Sequence, residues 1–140
     1  MNPKTEELLD RVFLFGVDTL KFLMTLPKEK VYGIVIYQLG KASTSSGSNY
    51  EEAQGAESPK DFNHKIGIVL KEIRESNYWF RVLNTIMLNS NNKELQRLLK
   101  ESLELKKIFS VIKIKSENNL KVKLKSILKT FSIFHFPFSI

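Results

Sequence analysis

The feature that most constrains the fold is a long apolar seam in the middle of the chain. Its members recur at alternating steps of four and three residues, which is the spacing of one face of an α-helix. They are Phe62, Ile66, Val69, Ile73, Ser76, Phe80, Leu83 and Met87. Ser58 and Pro59 supply the N-cap and first-turn residues that open such a helix. The pattern predicts a helix from Pro59 to about Leu88.

Two further segments show the same period. One is predicted to run from about Lys93 to Lys115. Its seam consists of Leu95, Leu98, Ser102, Leu105, Phe109 and Ile112. The other starts after Asn2, a suitable N-cap, and continues to about Leu26, where Pro27 interrupts it.

This first helix carries more apolar surface than one buried face of a bundle needs. Its predicted stripe consists of Leu9, Val12, Phe13, Gly16, Leu20 and Leu23. Phe15, Phe22 and Leu26 lie outside the stripe, so a monomer would expose them as a patch. Closed symmetric assembly is the usual way to cover such a patch. The sequence therefore predicts a homo-oligomer.

The serine-rich stretch 40–49 permits two interpretations, and propensity alone favours a loop. A seam of constant helical spacing nevertheless passes straight through it. The seam consists of Gln38, Ala42, Ser45, Asn49, Glu52 and Ala56. We therefore predict that a second helix begins near Lys28 and continues through the serines, with small residues on one face that let another helix approach closely.

The order of these helices fixes the architecture. Short connections make successive helices antiparallel neighbours. The predicted fold is all-α, an antiparallel up-down-up-down four-helix bundle over residues 1–116. Residues 117–140 form a basic, aromatic-rich C-terminal tail. Its secondary structure is not predicted, because the spacing of its apolar residues fits both a strand and a helix.

Composition excludes several classes of site. The 140 residues include no cysteine, which rules out disulfide frameworks, thiolate zinc sites and cysteine nucleophiles. The two histidines, His64 and His135, are far apart in sequence, which disfavours a histidine-rich metal site. We expect no cofactor, no metal and no small-molecule substrate. Since we find neither a signal-peptide pattern nor an apolar run long enough to span a membrane, we expect a cytoplasmic protein.

The formal net charge of +7 is unevenly distributed. Residues 1–57 carry 6 Lys or Arg against 8 Asp or Glu, whereas the last 23 residues carry 4 lysines and no acid. More than half of the excess positive charge therefore lies in those last 23 residues. Overall basicity is for that reason a weak argument for a nucleic-acid partner of the bundle.

Four cations on the predicted fourth helix share one side: Lys93, Arg97, Lys100 and Lys107. Glu104 occupies the position between Lys100 and Lys107 at which the spacing would place another cation. A row of cations of this kind contacts the phosphates of a nucleic acid without recognising its bases. The hypothesis is therefore that this side of the fourth helix is a nucleic-acid interface. The alternative is an ordinary solvated helix face.

Six polar residues are predicted to form a structural layer between the second and third helices. They are Gln38, Ser45, Asn49, Glu52, Lys71 and Glu75. Buried polar groups need hydrogen-bond partners, and isolated polar seam residues fix helix register. A polar pocket is the alternative. Because the set offers no nucleophile, base or metal for a catalytic centre, we expect no catalytic residues and no enzyme.

The second and third helices also carry an ordered string of specific motifs. It includes Leu26-Pro27-Lys28-Glu29, Gln38-Leu39, Ser45-Ser46-Gly47-Ser48-Asn49-Tyr50-Glu51-Glu52-Ala53, Asp61-Phe62, Leu70-Lys71-Glu72 and Tyr78-Trp79. Over about Leu8 to Ile114 the chain resembles the bacterial four-helix-bundle family of proteins encoded inside intervening sequences of 23S ribosomal RNA genes. It departs from that family at Gly40, where a basic residue is common, and in its tail.

The resemblance implies a ring-shaped homopentamer and no catalytic activity. It also implies kinship with the accessory proteins of diversity-generating retroelements, basic barrels that bind a reverse transcriptase and nucleic acid. The resulting hypothesis is a non-enzymatic oligomeric scaffold that binds RNA, DNA or a nucleic-acid-processing enzyme through basic surface. The alternative is a structural protein–protein adaptor ring with no nucleic-acid role.

Overall fold

The computed structural model describes residues 1–87 and 91–134 and contains four helices within them. They are α1 (Pro3–Leu23), α2 (Lys30–Gln54), α3 (Pro59–Ile86) and α4 (Lys93–Phe134). The all-α prediction is confirmed. The predicted end of the third helix at Leu88, and the tail residues Phe136, Pro137 and Phe138, lie outside the described residues.

Side-chain caps explain where three of the helices begin. The Asn2 carboxamide oxygen accepts a hydrogen bond from the Lys4 amide at 2.8 Å. The Ser58 hydroxyl accepts one from the Asp61 amide at 3.1 Å, as its N-cap role predicts. At α4, the Asn92 carboxamide oxygen accepts one from the Leu95 amide at 2.9 Å.

Two predicted boundaries shift by two or three residues. α1 ends at Leu23 rather than Leu26, and α2 begins at Lys30 rather than Lys28. Pro27 therefore lies in the connection instead of starting the next helix. Helix ends commonly differ by this much from a pattern-based boundary.

Contacts between α1 and α4 give their relative direction. Arg11 pairs with Glu101, and seven residues further along α1 Asp18 pairs with Arg97. Since the partner number falls as the α1 number rises, the two helices are antiparallel. α1 packs on α2, α2 on α3, and α3 on α4, which closes a four-helix bundle.

Aromatic pairs join helices that lie diagonally across the bundle. The rings of Phe15 in α1 and Phe80 in α3 have centroids 6.0 Å apart. Tyr50 in α2 meets Phe109 in α4 edge to face at 4.9 Å. These contacts place both predicted seams in one core, and from Ile66 to Leu83 and from Leu95 to Phe109 every seam residue is buried, as predicted.

The predicted buried face of α1 is only partly correct: Val12, Gly16 and Leu23 are buried as predicted, but the face is rotated away from other members of the stripe. Phe15, Phe22 and Leu26 are buried, whereas Phe13 is 61% exposed and Leu20 is also exposed. Because α1 is apolar on nearly every side, its period does not select one face. The polar residue that marks the true face is Thr19, which is fully buried and donates its hydroxyl hydrogen bond to the Phe15 carbonyl at 2.7 Å.

The serine-rich stretch is helical, as predicted, although its inner face is shifted by about one residue. The buried residues of α2 are Val35, Leu39, Gly40, Ala42, Ser43, Ser46, Tyr50 and Ala53. The Ser46 hydroxyl donates to the Ser43 carbonyl at 2.7 Å, so the helix itself satisfies this hydroxyl inside the packed interface. A Cβ built on Gly16 of α1 would lie 3.3 Å from the Ser43 carbonyl oxygen, which shows how closely the two helices approach.

The described part of the tail is a continuation of α4. The helix crosses the predicted boundary at residue 117 without a break and continues to Phe134. Among the described residues, the last buried one is Ser116, and residues 121–130 are exposed on every side. The described part of the tail, as far as Phe134, is therefore a helix outside the bundle.

Candidate nucleic-acid interface

The six residues predicted as a buried polar layer do not form one. Glu52 and Lys71 are exposed, and Gln38, Ser45, Asn49 and Glu75 are only partly buried. The Asn49 carboxamide donates to the Ser45 carbonyl of its own helix at 2.8 Å rather than across to α3. The one-residue shift in the α2 face explains the error for the four members on α2, because it moves them toward the rim of the α2–α3 contact.

A buried polar contact does exist, but it joins α3 to α4. The Asn77 carboxamide donates to the Ser102 hydroxyl at 2.9 Å, and that hydroxyl donates to the Leu99 carbonyl at 2.7 Å. Asn77 is 3% exposed and Ser102 is fully buried. Ser102 belonged to the predicted seam, yet nothing in the periodicity identified Asn77 as its partner.

The four cations predicted on α4 share its outer face, and three acids lie among them. Arg97 is held by Asp18 of α1 at 2.9 Å and also forms an ion pair with Glu94. Lys107 lies 3.9 Å from Glu104. Lys93 and Lys100 form no ion pair with any described residue.

This pairing turns Arg97 into a structural residue. Its hydrogen bonds to Glu94 hold the pKa of the guanidinium above its ordinary value, and Asp18 adds to the effect. The same hydrogen bond lowers the pKa of the Glu94 carboxyl. The carboxylates of Asp18, Glu94 and Glu104 offset three of the four cations. The predicted interface on α4 therefore has a net charge of only +1, which makes it a weak anion-binding surface.

A stronger basic surface lies on α3, which the sequence analysis did not single out. Its members follow alternating steps of four and three residues along the side of α3 opposite the α2 contact, and none of them is acidic. They are Lys60, His64, Gly67, Lys71, Arg74, Tyr78, Arg81 and Thr85, hereafter the α3 row. All except Gly67, which is partly buried, are exposed.

The four cations of the α3 row are available to a partner. Lys60, Lys71, Arg74 and Arg81 form no ion pair within 4.0 Å with any described residue. The other cation of α3, Lys65, faces α2 instead, 4.0 Å from Glu52 and 3.8 Å from Asp61. Among the described residues, Lys65 is thus the cation of α3 that pairs with acids, whereas the cations of the α3 row do not.

One groove beside the α3 row contains a further cation, Lys113, which is already paired with Glu117 at 3.6 Å. The groove has a volume of about 430 Å³ and is lined by Lys71, Arg74, Ser110, Lys113 and apolar residues of both helices. The Lys113 ammonium donates to the Asn63 carbonyl at 2.9 Å and to its side-chain oxygen at 3.0 Å, which fixes it across the α3–α4 contact.

An aromatic ring interleaves with the cations of the row. Tyr78 is half exposed, and the Arg81 guanidinium lies 5.9 Å from its ring centroid. Tyr78 also meets Trp79 edge to face at 5.0 Å. Exposed aromatic faces beside cations are suited to stacking on unpaired bases. The regular spacing of cations within 60–85 is the sequence signal that would have revealed this surface.

The carboxylate pair Glu72 and Glu75 is the other electrostatic feature of α3. Burial raises the pKa of Glu72, repulsion from Glu75 raises it further, and Lys71 and Lys41 oppose the shift. Within the described part of the chain, no group of three or more His, Asp or Glu side chains is placed to hold a metal ion. The described helices also include none that is long and apolar enough to cross a membrane.

Comparison with known proteins identifies the family of this chain. A family model described as 23S rRNA-intervening sequence protein matches residues 5–111. The chain belongs to this family. A crystal structure of a protein of unknown function from the S23 ribosomal protein family of Bacteroides thetaiotaomicron is similar to it, with 28% sequence identity and a TM-score of 0.68. The similarity covers 75% of this chain and 96% of that one.

The family match includes α1 to α3 and the buried part of α4 as far as residue 111. The exposed C-terminal part of α4 lies beyond it. No curated protein matches the chain. The resemblance predicted from the motifs of helices two and three is confirmed.

Proposed function

We propose that this protein is a non-enzymatic, cytoplasmic, oligomeric scaffold whose α3 row binds nucleic acid or a nucleic-acid-processing partner. The observation that carries the proposal is the row itself: four exposed cations without ion-pair partners among the described residues, and no acid at any of its eight positions. The family name, with its link to 23S rRNA, adds support.

The dimensions of the row suit a phosphate backbone. From Lys60 to Arg81 the helix advances about 31 Å at 1.5 Å per residue. Each cation that neutralises a phosphate releases condensed counterions, so affinity falls as salt rises. Backbone contacts of this kind carry no sequence information, and the partner is therefore recognised by charge and shape.

Self-association is the second part of the proposal. The residues first expected to drive it, Phe15, Phe22 and Leu26, are in the core, but another apolar set is exposed on α1 and α2. It consists of Phe13, Leu14, Leu20, Met24, Val31, Ile34 and Tyr37. An exposed apolar surface of this extent marks an interface in a protein that stays in solution. We expect it to be covered by further copies of the chain, and the pentamer remains the expected assembly.

A titration of structured RNA at several salt concentrations tests the nucleic-acid proposal. The test variant is Lys71→Gln/Arg74→Gln/Arg81→Gln, and the control is Lys93→Gln/Lys100→Gln/Lys107→Gln, which removes the same charge from α4. We expect the test variant to bind more weakly and to lose about one unit of salt slope for each cation that contacts a phosphate. We expect the control to change much less.

The remaining outcomes each decide between hypotheses. A greater loss in the α4 control would move the interface to Lys93, Lys100 and Lys107. Equal losses in both variants would show that net charge, and not the α3 row, governs binding. If the parent binds no RNA or DNA even at low salt, the adaptor ring with no nucleic-acid role replaces the proposal.

Light scattering tests the assembly independently. The chain has a mass of 16.2 kDa, so a measured mass near that value across micromolar concentrations would reject an oligomer. Phe13→Ser in the exposed apolar set should reduce the measured mass of the assembly. Leu14→Ser tests whether the interface extends around α1.

A further inference from the structure

The C-terminal part of α4 forms a surface that the bundle does not use. We define residues 118–134 as the extension; they contain four lysines and no acid. Residues 121–130 are exposed on every side, and at 1.5 Å per residue the extension is about 26 Å long. Large apolar side chains on an exposed helix of this length indicate that the helix binds a partner.

Four of those side chains share one side of the extension, whereas Val122 and Ile133 lie outside it. At about 100° per residue, Leu120, Leu124, Ile127 and Leu128 fall within an arc of about 100°. Leu124, Ile127 and Leu128 are 57%, 54% and 56% exposed. We call these four leucine and isoleucine residues the apolar arc.

The lysines stand where an amphipathic helix at a lipid surface places them. Lys121 and Lys123 border the apolar arc on its two sides, and Lys125 and Lys129 lie further around the helix. Flanking lysines of this kind extend their ammonium groups to the headgroup level while their aliphatic stems stay beside the apolar side chains.

We propose that the extension binds an anionic lipid surface, with the apolar arc inserted below the headgroups and the four lysines among the anionic phosphates. Two features select this partner. The absence of acids requires a negative partner and makes pairing with a second extension repulsive. The aliphatic arc requires an apolar environment, which phosphate contacts with a nucleic acid do not provide. Interfacial helices with one apolar face and a lysine-rich remainder meet both requirements.

Vesicle co-sedimentation of the full chain tests the proposal. One vesicle is phosphatidylcholine alone, and the other contains about one third phosphatidylserine. We expect binding to the anionic vesicles that weakens as salt rises, and little binding to the neutral ones. Binding to neither vesicle, or equal binding to both, would overturn the proposal.

A matched pair of variants tests the apolar arc. Leu124→Gln/Ile127→Gln should weaken binding to anionic vesicles by about tenfold or more. Val122→Gln/Ile133→Gln changes two equally exposed residues outside the arc and should weaken it by no more than about twofold. An equal loss of vesicle binding in the two variants would show that the apolar arc does not insert into the lipid surface.

Two further measurements separate this proposal from folding and from RNA binding. All four altered residues are exposed, so melting should be unchanged in both variants. RNA affinity should also be unchanged in the arc variant, because the α3 row is intact. An arc variant that loses RNA binding and keeps vesicle binding would assign the extension to nucleic acid instead.

Discussion

The two parts of α4 show the same sequence pattern in two different environments. From Leu95 to Phe109 the seam residues are completely buried against the other three helices. Beyond Ser116 the same spacing continues through Leu120, Leu124 and Ile127, yet the last two side chains are exposed. Helical period therefore specifies a helix and its apolar face, but it does not specify that a partner for that face lies in the same chain.

The largest difference between the two parts should appear when a seam residue is truncated. Leu105 is fully buried, and Leu105→Ala should cost about 2–5 kcal/mol of unfolding free energy because it leaves a cavity. Ile127→Ala, in the extension, should change it by no more than about 0.5 kcal/mol. Urea unfolding of both variants measures the difference, and a large loss for Ile127→Ala would show that the extension packs on protein in solution.

The next effect concerns serines in the two parts. Ser102→Ala removes the acceptor of the buried Asn77 carboxamide and should cost about 1–3 kcal/mol. Ser126→Ala, the same change on the exposed extension, should stay within about 0.5 kcal/mol. Thermal melting curves of the two variants measure the difference in stability. Identical melting of both variants would mean that water or a neighbouring group satisfies Asn77 once Ser102 is gone.

A smaller effect comes from the ion pairs of Arg97 in the buried part of α4. These groups are largely exposed, so Arg97→Gln should cost about 0.2–1 kcal/mol. The pKa of Glu94 is lowered in the folded state, so its stabilising contribution is complete above its ordinary pKa of 4.5 and is lost as the pH falls through the lowered value. Stability of the parent measured from neutral to acid pH should show this loss.

The Arg97→Gln variant gives the control for that titration. It should lose less stability than the parent over the same acid range, because Glu94 no longer has its stabilising partner. An identical acid dependence of the two proteins would show that the Arg97 ion pairs contribute nothing to folding.

The smallest effect on stability should follow from removing the extension. A chain ended after Glu117 keeps the whole buried core, so its melting should match that of the full chain. Melting far below the parent, or aggregation, would show that the domain boundary at 116 is wrong.

Sequence determined most of α3 and α4 because large apolar residues mark their buried faces without ambiguity. It was only partly correct on α1, because Phe13, Phe15, Leu20 and Phe22 are all apolar and their period does not select one face. On α2 the helix was predictable, but serine and glycine occupy neighbouring positions, so the exact rotation depended on Leu39 and Tyr50.

The candidate interface was less predictable for an electrostatic reason. Whether a cation is available depends on acids from other helices, and the Asp18 carboxylate that holds Arg97 comes from α1, 79 positions away in the chain. The spacing of the α3 row is present in the sequence, on the same helix as the apolar seam.

The salt dependence of RNA binding by the chain ended after Glu117 tests most directly whether the bundle itself carries the interface. Truncation removes 4 of the 22 Lys and Arg and leaves the α3 row in place. We predict that binding persists and that Lys71→Gln/Arg74→Gln/Arg81→Gln, introduced into the truncated chain, still weakens it and reduces the salt slope. Complete loss of binding on truncation alone would contradict the account and place the nucleic-acid interface in the extension.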